Sequence, residues 1–126
     1  MRNLYQADVN LSTVDNLVSG TLVPMKVVAC ELSGTGIIKR GTPLVYDDTN
    51  NVYEEATDDI DGILLLDIDA DDPDEALGAP VAFCGEFNQN KIEEVTGAGL
   101  ADEDIAAARK HMIFIAPMAP APEPFI

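Results

Sequence analysis

Asp67, Asp69 and Asp71 stand at alternate positions in the stretch ILLLDIDADDPDEALGAPV, residues 63–81. Alternating carboxylates open calcium loops of the EF-hand type, which then require a glycine at position 6 and a bidentate glutamate at position 12. Counted from Asp67, those two places hold Asp72 and Gly78. Pro73 follows at once, and Leu64, Leu66 and Ile68 ahead of the loop alternate as a strand does, where an EF-hand has a helix. The stretch therefore reads as a solvated acidic turn between strands, and no metal ligand is assigned.

Other chemistry-bearing residues are sparse. GIIKRGTP has the glycine spacing of a phosphate loop, Gly36 to Gly41, but Thr42 and Pro43 occupy the places of its lysine and hydroxyl residue. The only histidine, His111, lies beside Lys110 and reads as the end of a helix. A metal centre or a catalytic triad needs partners that the sequence does not supply. Carboxylate pairs such as Glu54–Glu55, Asp58–Asp59 and Glu93–Glu94 recur, but the chain has no tryptophan and few aromatic residues with which to grip a sugar. No catalytic residue and no cofactor is expected. Cys30 and Cys84 sit in apolar, strand-like settings and read as free thiols.

The elements that would hold these residues belong to one chain of 126 residues, 47% hydrophobic, with a formal charge of -16. Between Arg40 and Lys91 there is no lysine or arginine. A nucleic-acid binder must neutralise phosphates with cations, so nucleic acid is excluded as a partner, and an anionic membrane surface is disfavoured on the same ground. The first residues carry no apolar run of signal-peptide length, and ILLL is far too short to span a bilayer. Synthesis in a cytoplasm is the expectation. Like charge opposes association, so an oligomer of this chain has to rest on apolar contacts.

The pattern predicts a mostly β fold: a compact β-rich domain with one short helix near the C-terminus. Three segments are expected. Residues 1–20 read as an extended arm, with isolated apolar residues and no sustained period. Residues 21–116 form the domain, and residues 117–126, PMAPAPEPFI, form a proline-rich tail. Within the domain, VVACEL reads as a strand. PLVYDDTNNVY reads as a hairpin turning at residues 47–51, GILLLDIDA as a strand, and GAPVAFCGEF as another with Ala79, Val81, Phe83 and Gly85 on one face. LADEDIAAARKHM reads as the helix, with Ile105, Ala108 and Met112 on its apolar side, acidic residues at its start and basic ones at its end. MIFIA resumes a strand.

Five segments, VDNLVSGT, GIIKRGTPLVYDDTNNVYEEA, DGILLLDIDADD, GAPVAFCGEFNQNKI and ADEDIAAARKHMIFI, are together similar in order and spacing to the head decoration proteins of tailed bacteriophages, the lambda-like capsid-stabilising family. The resemblance spans residues 15–116. It implies a mostly β subunit that forms a homotrimer on the outside of the expanded icosahedral head. There it binds the major capsid protein and steadies the shell against packaged DNA. It also implies an N-terminal arm that becomes ordered on the capsid, with Leu11, Val14 and Leu17 as the candidate capsid-binding residues. The proline-rich tail departs from the family pattern. The alternative reading is a small β binding module of a phage tail or adhesion assembly whose acidic loop takes calcium.

Overall fold

The computed structural model describes residues 16–20 and 22–117. The fold is mostly β. Its elements, in order, are β1 (Val18–Gly20), β2 (Val27–Cys30), β3 (Ile37–Ile38), β4 (Pro43–Asp47), β5 (Val52–Glu55), β6 (Gly62–Leu64), β7 (Ile68–Asp69), α1 (Pro73–Leu77), β8 (Ala79–Ala82), β9 (Gly85–Asn88), α2 (Gln89–Thr96), α3 (Asp102–Arg109) and β10 (Ile113–Ala116).

Five strands form an antiparallel sheet in the order β2-β8-β6-β4-β5. The sheet curls until its ends meet. Just past β2, the Tyr53 amide donates to the Glu31 carbonyl at 2.8 Å, and the Ser33 amide donates to the Tyr53 carbonyl at 2.7 Å. The result is a short barrel, closed past β2 at the Leu32–Tyr53 bridge. Its interior holds Leu32, Ile38, Leu44, Leu64, Ile68, Ala79 and Val81, with Cys30, Tyr53 and Phe83 packed against them. The paired strands β3 and β7 supply Ile38 and Ile68, and α1 lies beside them. The Leu32 amide donates to the Ala76 carbonyl of that helix at 2.8 Å.

A second core lies on the barrel's outer side. Ile63, Leu65 and Ala82 point out of the barrel wall and meet Leu17, Phe87, Ile92, Leu100, Ile105, Ala108, Ile113 and Ile115. Strand alternation explains the arrangement: Ile63 faces one core and Leu64 the other, so β6 is apolar on both sides. The outer layer is a three-stranded sheet, β1-β9-β10, with β10 parallel to β9 and β1 antiparallel. Each fully buried aliphatic or aromatic side chain contributes about 1.5–3 kcal/mol.

Local chemistry sets the turns and caps. Between β4 and β5 the Asp47 carboxylate accepts from the Thr49 amide at 3.0 Å and from Asn50 Nδ2 at 2.8 Å, and Asn51 takes a left-handed conformation, φ 57. Asp72 caps α1 by accepting from the Asp74 amide at 3.0 Å, with Pro73 as the first helical residue. Asn88 caps α2 the same way through the Asn90 amide, and Gly97, φ 73, ends it. Asp102, Glu103 and Asp104 fill the first turn of α3, and Arg109 stands in its last.

Four expectations are corrected. The arm does not run to residue 20: Leu17 is fully buried and Val18–Gly20 is a strand, so the domain takes in part of the segment assigned to the arm. GAPVAFCGEF is two strands in different sheets, broken at Phe83 and Cys84. The chain has α1 and α2 besides the expected helix. Met112 lies beyond α3, 52% exposed and with φ 65, and does not share the buried face of Ile105 and Ala108.

Candidate functional site

The two loops that resembled ligand sites bind each other. Asp67 Oδ1 accepts from the Arg40 amide at 2.7 Å, and Asp71 Oδ2 accepts from the Gly36 amide at 3.1 Å. The amides that a phosphate loop would turn to an anion are therefore held by the protein's own carboxylates. Asp69 Oδ1 accepts from the Asp71 amide at 3.0 Å, and Asp72 is spent on capping α1. Among the described residues no three of His, Cys, Asp or Glu converge to hold a metal ion. Arg40 Nη1 donates to the Leu65 carbonyl at 2.6 Å and fastens the glycine loop to the end of β6. The acidic stretch is a set of backbone acceptors that shape residues 36–41.

A cleft opens where Tyr46 near the end of β4, Asp61 ahead of β6 and Phe83 after β8 come together. Antiparallel pairing puts these three at the same end of the barrel. Tyr53 and His111 complete the lining of this shallow, open cleft of about 350 Å³. Beside the cleft, Gly62 leaves no room for a side chain: a Cβ there would stand 2.5 Å from Val81 Cγ1 and 3.9 Å from Phe83 Cδ1. The rings form a row, with Tyr46 and Tyr53 centroids 5.1 Å apart and Tyr53 and Phe83 5.8 Å apart, each pair tilted by 50°. The Tyr46 hydroxyl donates to Asn51 Oδ1 at 2.8 Å, and its amide donates to Asp61 Oδ2 at 2.9 Å. His111 Nε2 stands 3.8 Å from Asp61 Oδ1. Burial pushes the Tyr53 hydroxyl up to about 12, helped by the charges of Cys30 and Asp61, so it stays a donor across the physiological range. No serine or cysteine is in the lining.

The third feature is where the chain enters and leaves the fold. The Asn88 amide donates to the Leu17 carbonyl at 2.8 Å on one side of β9, and Ala116 pairs with Asn88 on the other. Both ends of the described fold thus lie at one end of the three-stranded sheet, on its two outer strands, about two interstrand spacings, or ~9.5 Å, apart. Exposed apolar residues gather elsewhere: Leu22, Val27 and Val28 line the outer edge and approach of β2, and Val27 is 43% exposed.

Of the residues assigned to capsid binding, Leu11 and Val14 lie outside the described residues. Leu17 is described, and its side chain is consumed by the outer core, where it meets Gly41 and the helical layer. The aromatic cleft was missed because its members come from four separate segments. The one available signal was the hairpin register, which sets Tyr46 directly across from Tyr53. Among the described residues, no helix is long and apolar enough to cross a membrane. No family model matches the chain, and no curated protein matches it.

Proposed function

We propose that this chain is a head decoration protein of a tailed bacteriophage. It binds as homotrimers to the outside of the expanded icosahedral head, contacts the major capsid protein, and stabilises the shell against packaged DNA. The observation that carries the reading is the common exit of the two terminal segments. Residues 17–116 hold two complete cores, and the chain on either side leaves from the same end of the three-stranded sheet, on either side of Asn88. A body of that kind can dock as a rigid unit while its terminal segments engage a partner. An extended segment gains affinity by adding main-chain hydrogen bonds to a partner's sheet edge.

The resembling segments support the same reading. GIIKRGTPLVYDDTNNVYEEA covers β3 to β5, DGILLLDIDADD covers β6 and β7, GAPVAFCGEFNQNKI runs from β8 into α2, and ADEDIAAARKHMIFI covers α3 and β10. Each is a contiguous unit of the fold. The acidic surface keeps free subunits soluble at high local concentration.

The test compares the intact chain with one lacking residues 1–15. Both should have a solution mass three times 13.5 kDa, less the deleted residues in the second case. Only the intact chain should co-sediment with undecorated expanded heads. Equal binding by both proteins would remove the arm from the capsid contact, and a monomer at all concentrations would defeat the decoration reading.

A further inference from the structure

We propose that the aromatic cleft of Tyr46, Tyr53 and Phe83 receives the proline-rich segment, residues 117–126, of a neighbouring copy of this chain. For the number of copies, this rests on the homotrimer reading given above. The cleft has the chemistry of a polyproline groove. Its three rings follow one another at 5.1 and 5.8 Å, each pair tilted by 50°, and offer angled aromatic faces between which pyrrolidine rings pack. A polyproline II strand makes no internal hydrogen bonds, so its carbonyls need donors from outside. The Tyr53 hydroxyl has no protein acceptor among the described residues, and it remains protonated.

The segment fits the cleft in composition. PMAPAPEPFI has prolines at 117, 120, 122 and 124, and Glu123 is its only charged residue. It can therefore approach a strongly acidic body with little repulsion. Proline fixes φ near -65°, so much of the groove-binding conformation is set before docking and less entropy is lost on binding.

Chain direction decides between the chain's own cleft and a neighbour's. His111 lines the cleft, and β10 begins two residues later and runs parallel to β9, away from it. Ala116 lies about 10 Å beyond Ile113 along the strand. A polyproline II strand of ten residues spans about 30 Å. A return to the same cleft requires the chain to reverse the direction of β10. Passing each segment to the next copy gives a head-to-tail contact, and such contacts close into a ring when the rotation permits. The tail of each subunit then locks the next.

The test uses the full chain with a benzophenone amino acid in place of Phe125, made in light and heavy nitrogen and mixed. Irradiation should join position 125 to the Tyr46, Tyr53 or Phe83 region, in light–heavy pairs. Tyr46→Ala should lower that yield about tenfold, the effect of losing a contact worth about 1.4 kcal/mol. Tyr46 is 42% exposed, so this variant keeps its fold, and its melting temperature confirms it. Cross-links confined to one isotope, or joining position 125 to another surface, would overturn the proposal. So would an undiminished yield in Tyr46→Ala. Solution mass separates the two ideas: a trimer without cleft cross-links refutes the docking alone, and a monomer refutes the trimer.

Discussion

Val81 occupies the space that a side chain on Gly62 would need. A methyl group at Gly62 would stand 2.5 Å from Val81 Cγ1 and 3.3 Å from the Ala82 carbonyl oxygen. Val81 is fully buried and paired to Leu64, so it has nowhere to go. Gly62→Ala should destabilise the fold by about 1–3 kcal/mol, the usual penalty of overpacking. Val81→Ala in the same chain should recover part of that loss, and denaturant unfolding of the single and double variants measures the coupling.

Asp67 and Asp71 should behave as backbone acceptors. Asp67→Asn retains a carbonyl for the Arg40 amide and should cost well under 1 kcal/mol, whereas Asp67→Ala should cost about 1 kcal/mol. Millimolar calcium should raise the melting temperature no more than magnesium does, because the carboxylates face separate amides. A calcium-specific rise abolished by Asp69→Asn would contradict this.

Removing residues 1–15 should leave stability unchanged relative to the intact chain, whereas removing residues 1–20 should not. The longer deletion takes Leu17 out of the outer core and β1 off the edge of β9. Leu17→Ala alone should cost about 2–5 kcal/mol. Thermal melts of the three proteins provide the comparison.

Ile105 and Met112 should respond oppositely to the same change. Ile105→Asp puts a carboxylate into the outer core and should cost several kcal/mol, on the order of the largest single-site effects. Met112→Asp changes a half-exposed side chain and should shift stability within about 0.5 kcal/mol.

Glu93 gives a signed pH effect. The Leu100 amide, at 2.8 Å, and Gln89 Nε2, at 3.0 Å, both donate to its Oε2 and hold its carboxyl below the usual range. A carboxyl with a lowered pKa in the folded state stabilises above its unfolded pKa, and that contribution disappears as pH falls through the folded value. Protonation of the many other carboxylates relieves repulsion at the same time, so the difference from Glu93→Gln isolates the effect. The stability gap between the two proteins should narrow as pH is lowered below about 4. Tyr53 has the opposite sense: its raised pKa contributes stability that is kept below the unfolded value and lost as pH rises through about 12. Phenolate absorbance should show a late step that is missing in Tyr53→Phe.

What could be read from the sequence was what is local. The Tyr46–Tyr53 hairpin announces itself by alternation around DDTNN, and α3 by its acidic start and by Ile105 and Ala108. α1 is five residues long, too short for any period, although Asp72 and Pro73 mark its start. α2 buries only Ile92, so its signal lay in its ends, Asn88 and Gly97. Met112 was misplaced because helical spacing continues through a residue whose backbone has already left the helix. Long-range pairings left no local trace at all. Nothing near Leu32 points to Tyr53, and nothing near Leu17 points to Asn88, so the barrel seam, the limit of the arm and the aromatic cleft stayed out of sight.

The two sheets also differ in when the growing polypeptide can complete them. Every strand of the five-stranded barrel lies between Val27 and Ala82. The three-stranded sheet joins Val18 to Phe87, 69 positions apart, and Gly85 to Ile113, 28 positions apart. The pairing of Val18 with Phe87 forms slowly, because loop closure over that separation is costly before any contact rewards it. At ribosomal speeds, about 2–7 s pass between synthesis of Ala82 and of Ala116. In that interval the barrel can close while Leu17, Ile63, Leu65 and Ala82 still present an uncovered apolar face. α3 and β10 arrive last and seal it. A frameshift or stop codon between these points would release a folded barrel with a sticky side, the species most prone to aggregate or to be degraded.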